Sequence, residues 1–213
     1  DLHVARSDWG RTTYPFVPGH EIVGTVSAVG AGVTRFKVGD RVAVGTVVDS
    51  CRKCDSCHDG EENYCREGTT GTYNSHDRID GSPTYGGYSA SIVVAEPYVL
   101  RLPDSLDMAA AAPLLCAGIT TYSPLKNWNV GPSSRVGVIG LGGLGHMGVK
   151  FAKALGAEVT MITTSPAKGE DAKKLGADHV LVSTDKEAMR AASRSFDFLL
   201  DTIPVKHDLT RYL

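Results

Sequence analysis

The sequence predicts two modules, a small β-rich one followed by an α/β one built on a parallel sheet. Three observations carry that prediction. From Phe16 to about Pro103 the apolar runs are short, rich in β-branched residues and punctuated by glycine. From Ala109 onward, strand-like runs alternate with helix-like ones, the pattern of a right-handed parallel sheet. The chain has 213 residues, which at roughly 150 per domain allows two modest units.

In the first module, 22–29 and 41–45 read as strands. Gly30-Ala31-Gly32 and Val38-Gly39-Asp40 read as turns, and Tyr85-Gly86-Gly87-Tyr88 leads into a strand expected over Ser89–Val94. The result is a small barrel or sandwich. In the second module, Ala109–Ala112 favours helix and the apolar run Leu114–Leu125 continues it behind Pro113. Strands are expected over 135–140, Glu158–Thr163, His179–Val182 and Phe196–Asp201, and helices over Leu144–Leu155, Ala167–Leu175 and Lys186–Ala192. The change of texture near Gly118 divides the chain into 1–118 and 119–213.

Composition narrows the function. Apolar residues at 42% and charged residues at 22% suffice for a core and exclude disorder. A net charge of -2 offers no basic field for nucleic acid or an anionic membrane, and no run approaches the ~18 apolar residues of a membrane span. Neither nucleic acid nor a membrane is therefore an expected partner. The chain opens at Asp1 without a methionine and ends at Leu213 within an amphipathic segment, so the sequence reads as an excised piece of a longer chain, inactive by itself.

Four of the five cysteines, Cys51, Cys54, Cys57 and Cys65, are spaced C-x2-C-x2-C-x7-C in a loop at 49–66. A chain able to build its own core has little need of disulfides, whereas four clustered thiolates suit a closed, tetrahedral, structural Zn2+. Arg52 and Lys53 are expected to offset its negative charge. Unpaired thiols, a redox C-x-x-C and an iron–sulfur cluster are the alternatives, and metal content separates them.

Gly140-Leu141-Gly142-Gly143-Leu144-Gly145 is G-x-G-x-x-G, set between an apolar strand and a helix. That context makes it a dinucleotide loop: the first glycine turns, the second admits a diphosphate to the backbone, and the third lets helix and strand close up. The diphosphate sits at the helix N-terminus. At the next strand end, where a carboxylate would hold an NAD ribose, stand Thr163, Thr164 and Ser165, with Lys168 just beyond. Hydroxyls and a lysine can receive a 2′-phosphate that a carboxylate would repel, so NADP(H) is favoured over NAD(H). The same hydroxyls can also cap the following helix, and both roles can hold. A nucleotide-regulated, zinc-stapled binding module remains the non-enzymatic alternative.

His20 and Cys116 stand apart from any local cluster, and spacing alone makes them ordinary interior residues. Taken together, however, Gly19-His20-Glu21, the four-cysteine loop, Gly71-Thr-Tyr-Asn74, Gly86-Gly-Tyr88, Cys116-Ala-Gly-Ile-Thr120 and the Gly140 loop occur in an order that resembles the zinc-dependent medium-chain alcohol dehydrogenases. The detail is most similar to their cinnamyl-alcohol-dehydrogenase-like branch, which includes NADPH-dependent aldehyde reductases. The resemblance implies a GroES-like catalytic domain and a Rossmann domain, both truncated. It implies a second, catalytic zinc on His20 and Cys116 with Glu21 adjacent, two zincs per intact chain, and a third ligand upstream of Asp1. His3, assisted by Asp8, matches a proton-relay position, suited to a group that titrates near pH 6.5. Trp9 matches a substrate-lining one, and Thr120 is expected near the nicotinamide. The implied protein is a cytoplasmic homodimer that interconverts aldehydes and primary alcohols with NADP(H). A zinc-free quinone or enoyl reductase of the same build is the alternative within enzymes, disfavoured by the four cysteines, His20 and Cys116.

Overall fold

A computed structural model describes residues 1–212. The chain forms two compact units, one over Asp1–Cys116 and one from Ala117 onward.

The first unit opens with a single helical turn, α1 (Leu2–Ala5), and then carries five short strands: β1 (Ile22–Thr25), β2 (Arg41–Val44), β3 (Val47–Asp49), β4 (Thr70–Gly71) and β5 (Leu100–Arg101). β1, β2 and β5 form an antiparallel sheet with Val23 opposite Ala43 and Ala43 opposite Leu100, while β3 pairs with β4. Ala43, Val44 and Leu102 are buried, and Val26 extends the ladder by accepting from Gly39 N and donating to Asp40 O around the expected turn. The cysteine loop hangs between β3 and β4 and contains one helical turn, α2 (Asp55–His58). α3 (Met108–Ala111) is capped by Asp107, whose carboxylate accepts from Ala110 N.

One expected strand is absent. Ser89–Val94 has no regular structure, although its residues favour β. Ser89 Oγ instead lies 3.1 Å from Gly86 O and 3.0 Å from Ser91 O, a local side-chain bond that competes with a ladder, and Val93 is 99% exposed. Propensity without a pairing neighbour makes no strand.

In the second unit, α4 (Ala117–Asn127) precedes β6 (Arg135–Ile139), α5 (Gly143–Ala154), β7 (Glu158–Thr163), α6 (Pro166–Lys174), β8 (His179–Val182), α7 (Lys186–Ala191) and β9 (Phe198–Asp201). The strands form one parallel sheet in the order β8-β7-β6-β9, so the chain reverses its direction of growth between β8 and β9. Both faces are covered, as a doubly wound fold requires. Val136, Val138, Val159 and Met161 face a core shared with Leu125, Val149, Ala152 and Ala172 of α4, α5 and α6. Their neighbours Ile139 and Ile162 face a second core with Ala188 and Met189 of α7. The alternation of a strand decides which helix each residue meets. Among the described residues, no single helix is long and apolar enough to cross a membrane.

Candidate active site and metal centre

The cysteine loop brings its four sulfurs together. Their Sγ atoms all lie within 4.8 Å of one another, and all four thiols are free. Sulfurs at about 2.3 Å around a tetrahedral zinc stand about 3.8 Å apart. Two of the spacings, 3.9 Å for Cys51–Cys57 and 3.5 Å for Cys54–Cys57, lie close to that value, so the donor set suits that ion. Backbone amides point at the sulfurs: Cys54 N at Cys51 (3.4 Å), Arg66 N at Cys54 (3.5 Å) and Cys51 N at Cys65 (3.4 Å). The Arg66 and Cys57 amides hold the Cys54 thiol down to about 6. The Ser50 hydroxyl pulls Cys57 the same way, but desolvation and the neighbouring thiols override it and raise Cys57 to about 11.

Arg52 and Lys53, expected to offset the charge of the site, also pair with carboxylates. Arg52 Nε lies 2.8 Å from Asp49, and Lys53 Nζ 3.1 Å from Glu67. Lys53 also interacts with the Cys51 thiolate, and the fixed N–H dipoles of the loop act in the same direction.

His20 is positioned by backbone packing on both sides. Gly86, Gly87 and Tyr88 N–H groups donate to Val17, Gly19 and Pro18 carbonyls, and Gly19 adopts φ +107, where a Cβ would stand 2.8 Å from Gly87 N. Only glycine allows that approach, so the Pro18-Gly-His motif and the Gly86-Gly-Tyr motif are two halves of one local structure. His20 Nδ1 then meets Asp1 Oδ1 at 2.9 Å, and the same oxygen accepts from Gly19 N at 3.0 Å. With Nδ1 carrying the proton, the neutral ring keeps its lone pair on Nε2, the arrangement a metal-binding histidine needs. Sequence reasoning passed over Asp1, and the cue, a carboxylate placed to orient a candidate ligand, lies 19 residues from its partner.

The Tyr73 ring lies 5.9 Å from that of His20 and stacks on Phe16 at 5.8 Å. Burial holds the Tyr73 phenol above its ordinary value, with Tyr88 and Cys116 adding to the effect. Among the described residues the four loop cysteines are the group of ligand atoms gathered within 4.8 Å, and His20, Glu21 and Cys116 are not drawn into a further one.

His3 projects from α1 and meets Asp8 Oδ2 at 2.8 Å, with the Trp9 ring 5.4 Å away. Trp9 lines a recess of about 500 Å³ with Val4, Arg11, Thr12 and Asn74. Asn74 secures this wall by accepting from Thr13 N at 2.9 Å and donating to Arg11 O at 3.1 Å.

In the second unit the glycines of the turn have different surroundings. Gly140 adopts φ +87, and its N–H donates to Ile162 O at 3.0 Å. Gly142 and Gly143 open onto empty space at the mouth of α5, whereas a Cβ on Gly145 would overlap the Gly140 carbonyl. Leu144 is exposed. Thr202, which sequence reasoning missed, braces the turn: its Oγ1 lies 2.8 Å from Ile139 O and 2.9 Å from Gly140 O, a contact made by a residue 62 positions away. At the end of β7, Thr163 is buried and its Oγ1 accepts from Ser165 N at 3.2 Å, while Ser165 Oγ caps α6 by accepting from Lys168 N at 3.5 Å. Thr164, Lys168 and, on α4, Thr120 are exposed.

Comparison with known proteins gives concordant results. Residues 1–104 match the alcohol dehydrogenase GroES-like domain family, and 143–213 match the zinc-binding dehydrogenase family. The chain is 57% identical over 214 residues to NADP-dependent alcohol dehydrogenase C 1 of Mycolicibacterium smegmatis, covering 100% of this chain and 61% of that protein. It is 56% identical over 210 residues to aldehyde reductase YahK of Escherichia coli, covering 98% of this chain and 60% of the relative. A solved cinnamyl alcohol dehydrogenase from Sorghum bicolor superposes with a TM-score of 0.96 at 50% identity, across 100% of this chain and 61% of the other. The Helicobacter pylori CAD complexed with NADP(H) gives a TM-score of 0.92 at 43% identity, across 100% and 60%. The chain thus spans about three fifths of the length of the relatives it matches.

Proposed function

The chain belongs to the zinc-binding alcohol dehydrogenase family, and from that premise we propose that the whole protein interconverts aldehydes and primary alcohols with NADP(H). The observation that carries this reading is His20, whose Nδ1 meets Asp1 and so leaves Nε2 as its lone-pair nitrogen for a metal. His20 and Cys116, with Glu21 adjacent, are the residues that would hold the catalytic zinc, and Cys51, Cys54, Cys57 and Cys65 those that would hold a structural one. Zinc supplies Lewis acidity toward a carbonyl oxygen, and NADPH supplies the hydride.

This chain's own residues do the rest. The first unit is the catalytic domain and the second the nucleotide domain. Asp1 fixes the tautomer of His20. His3, paired with Asp8, takes up or releases the proton of the alcohol, and Trp9 with its recess receives the organic part of the substrate. Gly140, Gly142, Gly143, Leu144 and Gly145 present a helix mouth to the diphosphate. Thr164, Ser165 and Lys168 face the 2′-phosphate, Thr163 supports them from inside, and Thr120 lies toward the nicotinamide.

The reading extends to a homodimer in a reducing, cytoplasmic compartment, where free thiols persist to bind metal. Zinc content and NADPH oxidation across an aldehyde panel test the function on the full-length protein. The expected result is two zincs per chain with turnover lost and NADPH affinity kept in Cys116→Ser. One zinc per chain and no turnover with any aldehyde would leave a zinc-stapled nucleotide-binding module instead.

A further inference from the structure

We propose that Ser50, held by Tyr98, is the positioning residue for one particular thiolate of the cysteine site, Cys57. Ser50 is 2% exposed and no metal ligand itself, yet its Oγ lies 3.2 Å from Cys57 Sγ. A hydroxyl has one proton and two lone pairs. A metal-bound cysteine is a thiolate and only accepts, so the Ser50 proton goes to Cys57. The lone pairs are then filled from elsewhere: Tyr98 OH donates at 2.6 Å and Arg52 N–H at 3.3 Å. Every hydrogen-bonding capacity of Ser50 is used, and its one proton has a single destination.

This sets Cys57 apart. The other three sulfurs take amides of the loop's own backbone at 3.4–3.5 Å, which side-chain replacement leaves in place. Cys57 also has a loop amide beside it, that of Arg52, and in addition takes a hydroxyl whose orientation comes from Tyr98, 48 residues further on, in a short 3-10 turn outside the loop. The Arg52 guanidinium, fixed by Asp49, lies 5.5 Å over the Tyr98 ring and keeps it in position. The β-domain thus controls one of the four ligands, and Cys57 is the thiolate that leaves first when that control is lost.

The inference rests on the zinc reading of the four cysteines, and the experiment separates the two. Full-length protein is loaded with zinc, and release from the structural site to a chromogenic chelator is timed for the parent, Ser50→Ala, Tyr98→Phe and the double variant. Outer partners of metal ligands are worth roughly 10- to 100-fold in affinity, so each single variant is expected to release zinc at least about tenfold faster. The double variant should release it no faster than Ser50→Ala, because Tyr98 acts through Ser50, and Ser50→Thr should restore slow release. Limited iodoacetamide labelling read by mass spectrometry should find Cys57 as the first loop cysteine modified. Unchanged release in Tyr98→Phe, additive effects, or first modification at Cys51, Cys54 or Cys65 would overturn the role of Ser50. A parent protein holding no zinc that Cys57→Ser removes would overturn the zinc reading itself.

Discussion

Three glycines of the turn and the helix that follows it should respond to alanine in three different ways, because the structure gives each a different neighbour. At Gly145 the added methyl would overlap the Gly140 carbonyl oxygen, and that backbone atom cannot swing aside. Relieving the overlap means parting α5 from the end of β6 throughout a packed core, and overpacking of that kind costs about 3 kcal/mol. At Gly148 the methyl would stand 2.8 Å from Leu200 Cδ2, the tip of a side chain that can change rotamer, so about 1 kcal/mol is expected. At Gly142 nothing lies within 4 Å and the backbone, at φ -105 and ψ -162, already suits an L-residue. The folding cost there is limited to the weaker capping of alanine, a few tenths of a kcal/mol up to about 1. Its methyl would instead occupy the space reserved for a diphosphate, and a loss of at least about tenfold in NADP(H) affinity, or 1.4 kcal/mol, should follow. Guanidinium unfolding of the full-length variants, with midpoints compared at constant slope, measures the first quantity, and fluorescence titration with NADPH measures the second. If Gly142→Ala bound NADPH like the parent, or destabilised the fold as much as Gly145→Ala, the division of roles within the turn would be wrong.

Other outcomes follow from particular contacts. Arg135 grips Asp197 through its side chain and its own N–H, holding the carboxyl at about 2, so this pair supports the fold fully above the ordinary carboxylate range. That support is lost as pH falls from about 4 toward 2. Asp197→Asn should therefore lower the unfolding midpoint at pH 7, and the difference from the parent should shrink on acidification through that window. Thr202→Val should cost about 1 kcal/mol in chemical denaturation, since it strips the hydroxyl from the Ile139 and Gly140 carbonyls. Lys168→Ala should raise the KM for NADPH and leave that for NADH unchanged. Asp1→Asn should lower metal retention at the catalytic site, read as zinc per chain falling from two toward one, while the structural zinc stays.

The α/β unit was legible nearly residue by residue. Glu158–Thr163 and His179–Val182 have the expected bounds, because a buried parallel strand bordered by glycine or a helix cap has little freedom about where to stop. The β-rich unit was legible in its turns and first strands but not at Ser89–Val94, where pairing rather than propensity decides. Among the candidate site residues, the contacts legible in the sequence were those within one motif: the four cysteines, which gather, and His3, which meets Asp8. The sequence concealed residues whose role is a contact across the fold, namely Asp1 on His20, Thr202 on Gly140 and Tyr98 on Ser50.

One turn of helix at the start of the first unit joins two tasks. Asp1 sits at its N-terminus and holds His20, while His3 projects from it toward Asp8, yet α1 has four residues and no buried side chain. On the proposed reading, a substitution that disrupts this turn would cost ligand orientation and proton delivery together, although it touches neither sheet.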